Sequence, residues 1–297
     1  MFDLRYHVAS LAAVFLALII GILVGVGISS QDVIAKSERD LLRKDKTALE
    51  GQLERAEARI AALTRAQGAG AEFIEATYRP LMEGRLRGRV VALVFVGSVD
   101  GDVQEAVGNT IRDAGAEAVV RMRALSVPID LRGIRTALAG RPALAVYLGE
   151  RGAARLGGAL AAEFVTGGRT PLWTALAGTL VEERSGNDLV PADAVVVVRT
   201  ARPQAGPTAR FLRGFYTGLV APGPPVVGVE ETTAELSAVE TYRRRGISSV
   251  DDIDTPPGRL ALAALLAGAR PGRYGVKPGA ADGLLPPIEP VAAGTGG

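Results

Sequence analysis

The chain has 297 residues, a formal charge of only +2, one histidine, three methionines and no cysteine. At roughly 150 residues per domain there is room for one large domain or two small ones, and the absence of sulfhydryls excludes a disulfide scaffold, a thiolate zinc site, an iron–sulfur cluster and a cysteine nucleophile. Acids and bases nearly cancel, so no broad nucleic-acid-binding face is expected, while the 48% hydrophobic content directs attention to a membrane segment.

That segment comes first. Val8 to Ile28 is a run of twenty-one residues without a charge, rich in Leu, Ile and Val. At about 1.5 Å per residue such a helix spans roughly 30 Å, the hydrocarbon thickness of a bilayer. Cleavable signal peptides have shorter apolar cores, of about 7–15 residues, so an uncleaved anchor over residues 1–30 is expected, although Gly25-Val26-Gly27 weakly imitates a cleavage site. Arg5 precedes the span, whereas Lys36, Arg39, Arg43 and Lys44 follow it; the Lys and Arg count by itself puts the large C-terminal part in the cytoplasm. Ala9, Ala13, Ala17, Gly21 and Gly25 recur every fourth position, a spacing that lets two membrane helices approach closely. Small residues are also simply common in membrane helices.

Residues 31–78 read as a solvated helical stalk, rich in Glu, Lys, Arg, Ala and Leu and without proline. Leu42, Leu49, Ala56 and Leu63 repeat at seven, and Leu53 and Ile60 repeat at seven four residues out of phase, which together make a coiled-coil seam. Lys46 and Arg39 fall on the same seam nearer the span and weaken it there, and Gly51 is a further local defect. The membrane face (Ala13, Ala17, Gly21, Gly25) and the heptad face (Leu42, Leu49, Leu53, Ala56, Ile60, Leu63) both favour a parallel homodimer. A fully helical stalk would hold the rest of the chain roughly 50 Å from the bilayer. Gly68-Ala69-Gly70 is expected to interrupt it.

Residues 79–278 change to apolar runs separated by helical stretches. Arg89–Gly97, Ala143–Leu148, Ala194–Val198 and Val226–Val229 read as strands buried on both faces; Asp102–Ala114, Leu156–Val165 and Thr208–Leu219 read as crossover helices. The fold class is therefore α/β: an N-terminal transmembrane helix, a coiled-coil helix, then a three-layer Rossmann-like domain with a mostly parallel sheet. The runs do not alternate in polarity, so a transmembrane β-barrel is not indicated. Gly97-Ser98-Val99-Asp100-Gly101-Asp102 precedes a helix start where backbone amides can hold a phosphate, but it lacks the Lys-Ser/Thr of a P-loop and the full dinucleotide fingerprint, and such turns usually only connect elements. Asp251, Asp252 and Asp254 could gather a hard cation, yet they lack the glycine and terminal glutamate of an EF-hand, and carboxylates before Thr255-Pro256-Pro257 are ordinary capping chemistry. Arg259–Ala267 reads as a helix, and residues 279–297 as a disordered Gly/Pro-rich tail.

Phe2-Asp3-Leu4-Arg5-Tyr6-His7-Val8-Ala9-Ser10-Leu11, running straight into the span, resembles the start of the actinobacterial copper transport protein B family, described as copper transport outer-membrane (MctB-like) proteins. A second resemblance lies in Ser249-Val250-Asp251-Asp252-Ile253-Asp254-Thr255 through Gly258-Arg259, then Tyr274-Gly275 and Leu285-Pro286, so that it covers nearly the whole chain. It implies a non-enzymatic cell-envelope protein of copper export or homeostasis, with the large domain extracytoplasmic, opposite to the charge count. Copper is implied by that resemblance alone. Cu(I) prefers thiolate and thioether donors, and here Met82 and Met122 are isolated in sequence while His7, beside Tyr6 and Arg5, reads as an interfacial anchor more readily than as a ligand. From the residues alone, with no catalytic, cofactor or metal set to name, the chain fits better as a dimeric scaffold or sensor that organises envelope or division proteins, since one span without polar residues makes no conduit.

Overall fold

The computed structural model describes residues 4–28, 31–117, 119–148 and 152–290, with the side chains of 4–6, 27, 28 and 31–38 left aside. The chain divides into two units, Met1–Gly70 and Ala71–Gly297.

The first unit holds helix α1 (Leu4–Ile28) and most of helix α2 (Gln31–Met82). Within α1, His7–Val26 has a mean hydropathy of 2.8, long and apolar enough to cross a membrane. Its described side chains are all exposed. Helix α2 does not break at Gly68-Ala69-Gly70, contrary to the sequence expectation: two glycines cost about 1 kcal/mol each, too little to interrupt a helix of 52 residues. Pro80 lies inside α2, two residues before its end.

The second unit is built on a seven-stranded sheet. In chain order its elements are β1 (Val91–Val96), α3 (Gly101–Asp113), β2 (Val119–Leu125), α4 (Leu131–Leu138), a 3-10 turn (Pro142–Tyr147), α5 (Gly152–Thr166), α6 (Pro171–Ala175), β3 (Val181–Gly186), β4 (Ala194–Arg199), α7 (Gly206–Val220), β5 (Val226–Val229), α8 (Val239–Arg243), β6 (Ser248–Val250), α9 (Pro256–Leu266) and β7 (Arg273–Tyr274). The strand order is β3-β2-β1-β4-β5-β6-β7, and every pairing is parallel except β2 with β3.

Because side chains alternate across a strand, β1 feeds two cores. Ala92, Val94 and Val96 join Phe164, Trp173, Phe211 and Phe215 from α5, α6 and α7 on one face. Val91, Leu93 and Phe95 join Val107 and Ile111 of α3, Leu262 and Leu266 of α9, and Met82 at the end of α2 on the other. Helices thus cover both faces of the sheet, which is why the central strands carry no polar alternation.

Two expectations are corrected here, and one strand had not been anticipated. Ala143–Leu148 is not a strand: Pro142 sits in the first turn of a 3-10 segment with no buried residue, and only Leu144 and Tyr147, three apart, lean on the core. Strand β2 was hidden by Arg121 and Arg123, both 1% exposed. Finally, residues 279–290 pack on the domain instead of forming part of a disordered tail. Leu285 and Ile288 lie against the core, and Asp282 accepts from the Arg273 amide at 2.9 Å. Residues 291–297 of that expected tail lie outside the described residues.

Candidate functional site

In parallel α/β sheets ligand sites form at the carboxyl ends of strands, beside the point where the strand order reverses, here between β1 and β4. A cavity of about 290 Å³ opens there, lined by Asp100, Arg199, Thr200, Glu230 and Glu231 among others. Gly97 makes the close approach possible: at φ 114° it takes a conformation that disfavours other residues, and a Cβ would come within 2.7 Å of the Ala201 amide nitrogen.

Two amides at the start of α3 are already occupied. Asp100 caps α3, its Oδ1 accepting from the amides of Asp102 and Val103 at 3.2 Å each. A carboxylate therefore stands where a phosphate would bind. Burial, reinforced by Asp100, Asp254 and Asp102 and opposed by Lys277, pushes the Glu231 carboxyl above its ordinary range. This electronegative mouth disfavours an anion.

The Asp251–Thr255 motif forms the next junction, between β6 and α9. Asp251 is 1% exposed; its Oδ1 accepts from the amides of Val276 and Lys277 at 2.9 and 3.2 Å and so ties down the chain leaving β7. Gly275, at φ 135°, brings the backbone so close that a Cβ would lie 2.7 Å from the Asp251 carboxyl carbon. Asp252 Oδ2 accepts from the Thr255 hydroxyl at 3.0 Å. Burial chiefly, then the charges of Asp251 and Asp254, raise the Asp252 carboxyl to about 6. Asp254 accepts from both the amide and the hydroxyl of Thr232. Thr255 caps α9 through the Gly258 amide at 3.1 Å, with Pro256 and Pro257 in the first turn, and Arg259 reaches the Ile253 carbonyl at 3.4 Å. Tyr274 pairs with Val250 across the β6–β7 ladder.

The fold thus gathers Asp251, Asp252, Asp254, Arg259, Tyr274 and Gly275 at one junction, where the three aspartates serve three different sets of backbone and hydroxyl donors. Among the described residues no group of three or more His, Asp or Glu is arranged to hold a metal ion. Residue spacing carried no sign of the half-buried ion pair beside this junction, Lys277 Nζ to Glu230 Oε1 at 2.9 Å, whose partners lie 47 positions apart. Nor did it reveal the cluster in which Asp188 pairs with Arg123 and Arg184.

Soft donors are not brought together. Met82 and Met122 are 1% and 5% exposed within the hydrophobic core, and His7 is exposed on α1. Asp3 lies outside the described residues, as do the side chains of Arg5 and Tyr6. Ala13, Ala17, Gly21 and Gly25 on α1 and Leu42, Leu49, Leu53, Ala56, Ile60 and Leu63 on α2 are all exposed in the single chain.

The family described as copper transport outer membrane protein, MctB, matches residues 1–286, a span that takes in both the residues around the apolar helix and the β6–α9 junction. The chain belongs to this family. Proteins named Copper transporter MctB from Mycobacterium bovis and Mycobacterium tuberculosis are each 28% identical to it over 319 aligned positions, covering 94% of this chain and 98% of the relative. Against that likeness, this member of the copper transport family keeps its aspartate-rich motif for joining strand, helix and C-terminal segment.

Proposed function

We propose that the chain serves copper export or homeostasis at the cell envelope as a non-enzymatic component, held in the membrane by α1 with its C-terminal domain on the extracytoplasmic side. The family match over residues 1–286 carries this reading, and the apolar helix His7–Val26 supports the anchoring. The burial of Met82 and Met122 favours a role exerted through contacts with other envelope components, since Cu(I) needs accessible thioether, thiolate or imidazole donors. Deleting the chain from its host is expected to raise cell copper under copper challenge, and both the wild-type chain and His7→Ala should return it to normal. Unchanged copper content in the deletion strain would sink the reading, and failure of His7→Ala alone would put the metal on the histidine.

The chain acts as a parallel homodimer in this reading. Leu42, Leu49, Leu53, Ile60 and Leu63 are each at least 59% exposed at heptad spacing, which a solvated lone helix does not stabilise. In membranes, Leu49→Cys is expected to cross-link to a species of twice the mass under mild oxidation, whereas Cys at the exposed position Glu57 should cross-link poorly. Equal yields at the two positions would remove the seam.

A further inference from the structure

A second cavity, of about 190 Å³, shares Arg199 and Arg202 with the mouth but has none of its carboxylates. Four guanidinium-bearing residues line it: Arg199 at the end of β4, Arg202 in the following loop, Arg213 on α7 and Arg245 just beyond α8. No carboxylate is among its lining residues. Glu240, the acid nearest in sequence, is engaged on the exposed side of α8 with Arg243 and Arg244. Among the described residues, the guanidinium groups of Arg202, Arg213 and Arg245 have no ion-pair partner, although positive charges crowded together repel unless an anion joins them.

Two buried donors in the same lining lack acceptors. Tyr216 is 2% exposed, and its hydroxyl makes no hydrogen bond; burial, with Arg199 opposing, pushes it up to about 12, so it keeps its proton. Arg199 is fixed in place, Nη1 donating to the Thr241 hydroxyl at 2.7 Å and Nη2 to the Ser237 carbonyl at 2.8 Å, yet its buried Nε–H is unsatisfied. Buried polar groups are rarely left this way, since each costs about 1–3 kcal/mol. The Nε–H can only donate, the phenol donates to any acceptor, and the surrounding charge is positive. Both donors call for an oxygen acceptor, and the surrounding charge favours an anionic one.

We propose that this cavity is a binding site for a compact tetrahedral oxyanion, a phosphate or the phosphoryl group of a small phosphate monoester, held by Arg199, Arg202, Arg213 and Arg245 with the Tyr216 hydroxyl donating to it. Arginine forks match the paired oxygens of such a group. The site is independent of the copper reading, and neither stands or falls with the other.

Calorimetric titration of the full chain in a non-ionic detergent at low salt, with inorganic phosphate and separately with glycerol 3-phosphate as probes, tests it. Saturable 1:1 binding to at least one probe is expected; tighter binding of glycerol 3-phosphate would identify a monoester site, and tighter phosphate a site for the free ion. Joint replacement Arg213→Gln/Arg245→Gln should weaken binding by roughly tenfold or more, and Tyr216→Phe by roughly fivefold. Arg243→Gln, outside the cavity, should leave it unchanged. Fluorescence of the single tryptophan, Trp173, confirms that each variant is folded. Absence of heat with both probes up to about 10 mM, or equal loss in Arg243→Gln and in the cavity variants, would overturn the proposal.

Discussion

Replacing Gly214 by alanine is expected to lower the melting temperature of the α/β domain by roughly 6–12 °C, read from the fluorescence of Trp173. In most helices this exchange is favourable by about 1 kcal/mol, because alanine loses less backbone freedom than glycine. Here the sign reverses. Helices α5 and α7 cross with their backbones in contact, and a Cβ on Gly214 would sit against the Ala154 carbonyl, with the Ala154 carbonyl carbon 2.8 Å away. Gly157 faces the same crossing from α5, where a Cβ would meet the Phe215 amide nitrogen at 2.8 Å. These obstacles are backbone atoms, so no side chain can swing aside, and the helices must separate over a core that includes Phe211 and Phe215. Overpacking of this kind costs typically 1–3 kcal/mol and more where the obstacle is rigid. Gly108→Ala in α3, where a Cβ would meet nothing within 4 Å, is the control and should raise the melting temperature slightly. A Gly214→Ala protein as stable as wild type would show that the crossing is looser than described.

Asp188→Asn is expected to destabilise the same domain by about 3–5 kcal/mol. The carboxylate of Asp188 pairs with Arg123, which is 1% exposed, and with Arg184. Burial, and then repulsion by Arg184 and Arg121, lowers the Arg123 guanidinium to about 10, at which it still carries its charge at neutral pH. The Trp173 ring, 5.8 Å from the guanidinium carbon, contributes a weaker cation–π attraction. Taking away the carboxylate strands a buried cation, which is worse than having neither charge. Arg123→Met added to Asp188→Asn should therefore recover much of the loss, while Glu240→Gln, on an exposed pair, should barely shift the tryptophan melt. If the double variant melts below Asp188→Asn alone, the damage arises from lost packing of Arg123 and not from its charge.

The same cluster explains why part of the fold was illegible in the sequence. Strands β1, β4 and β5 are continuous apolar runs that could be read directly, and helices α3, α5, α7 and α9 were read as helical stretches between them, although α5 and α7 begin earlier, at Gly152 and Gly206. Strand β2 reads Val-Val-Arg-Met-Arg-Ala-Leu, and two arginines in a buried strand make sense only once Asp188, 65 residues beyond Arg123, is seen to meet them. The opposite error came from Ala143–Leu148, apolar enough for a strand but without a neighbour to pair with. At the β6–α9 junction a helix entry was legible, although the cap is Thr255 and not one of the aspartates before it, whereas the tie from Asp251 to the amides of Val276 and Lys277 depends on how β7 returns. The arginine cavity drew no notice because its four charges come from separate elements that only the sheet assembles.

The antiparallel border strand β3 carries a further consequence. Its Glu182, Glu183 and Arg184 are exposed along an otherwise open row of backbone donors and acceptors. Charges so placed penalise the addition of a neighbour's strand, and the other border, β7, is only two residues long. Crowded copies are thereby kept from fusing into a continuous ribbon of sheet, and recognition between them is left to helices and loops.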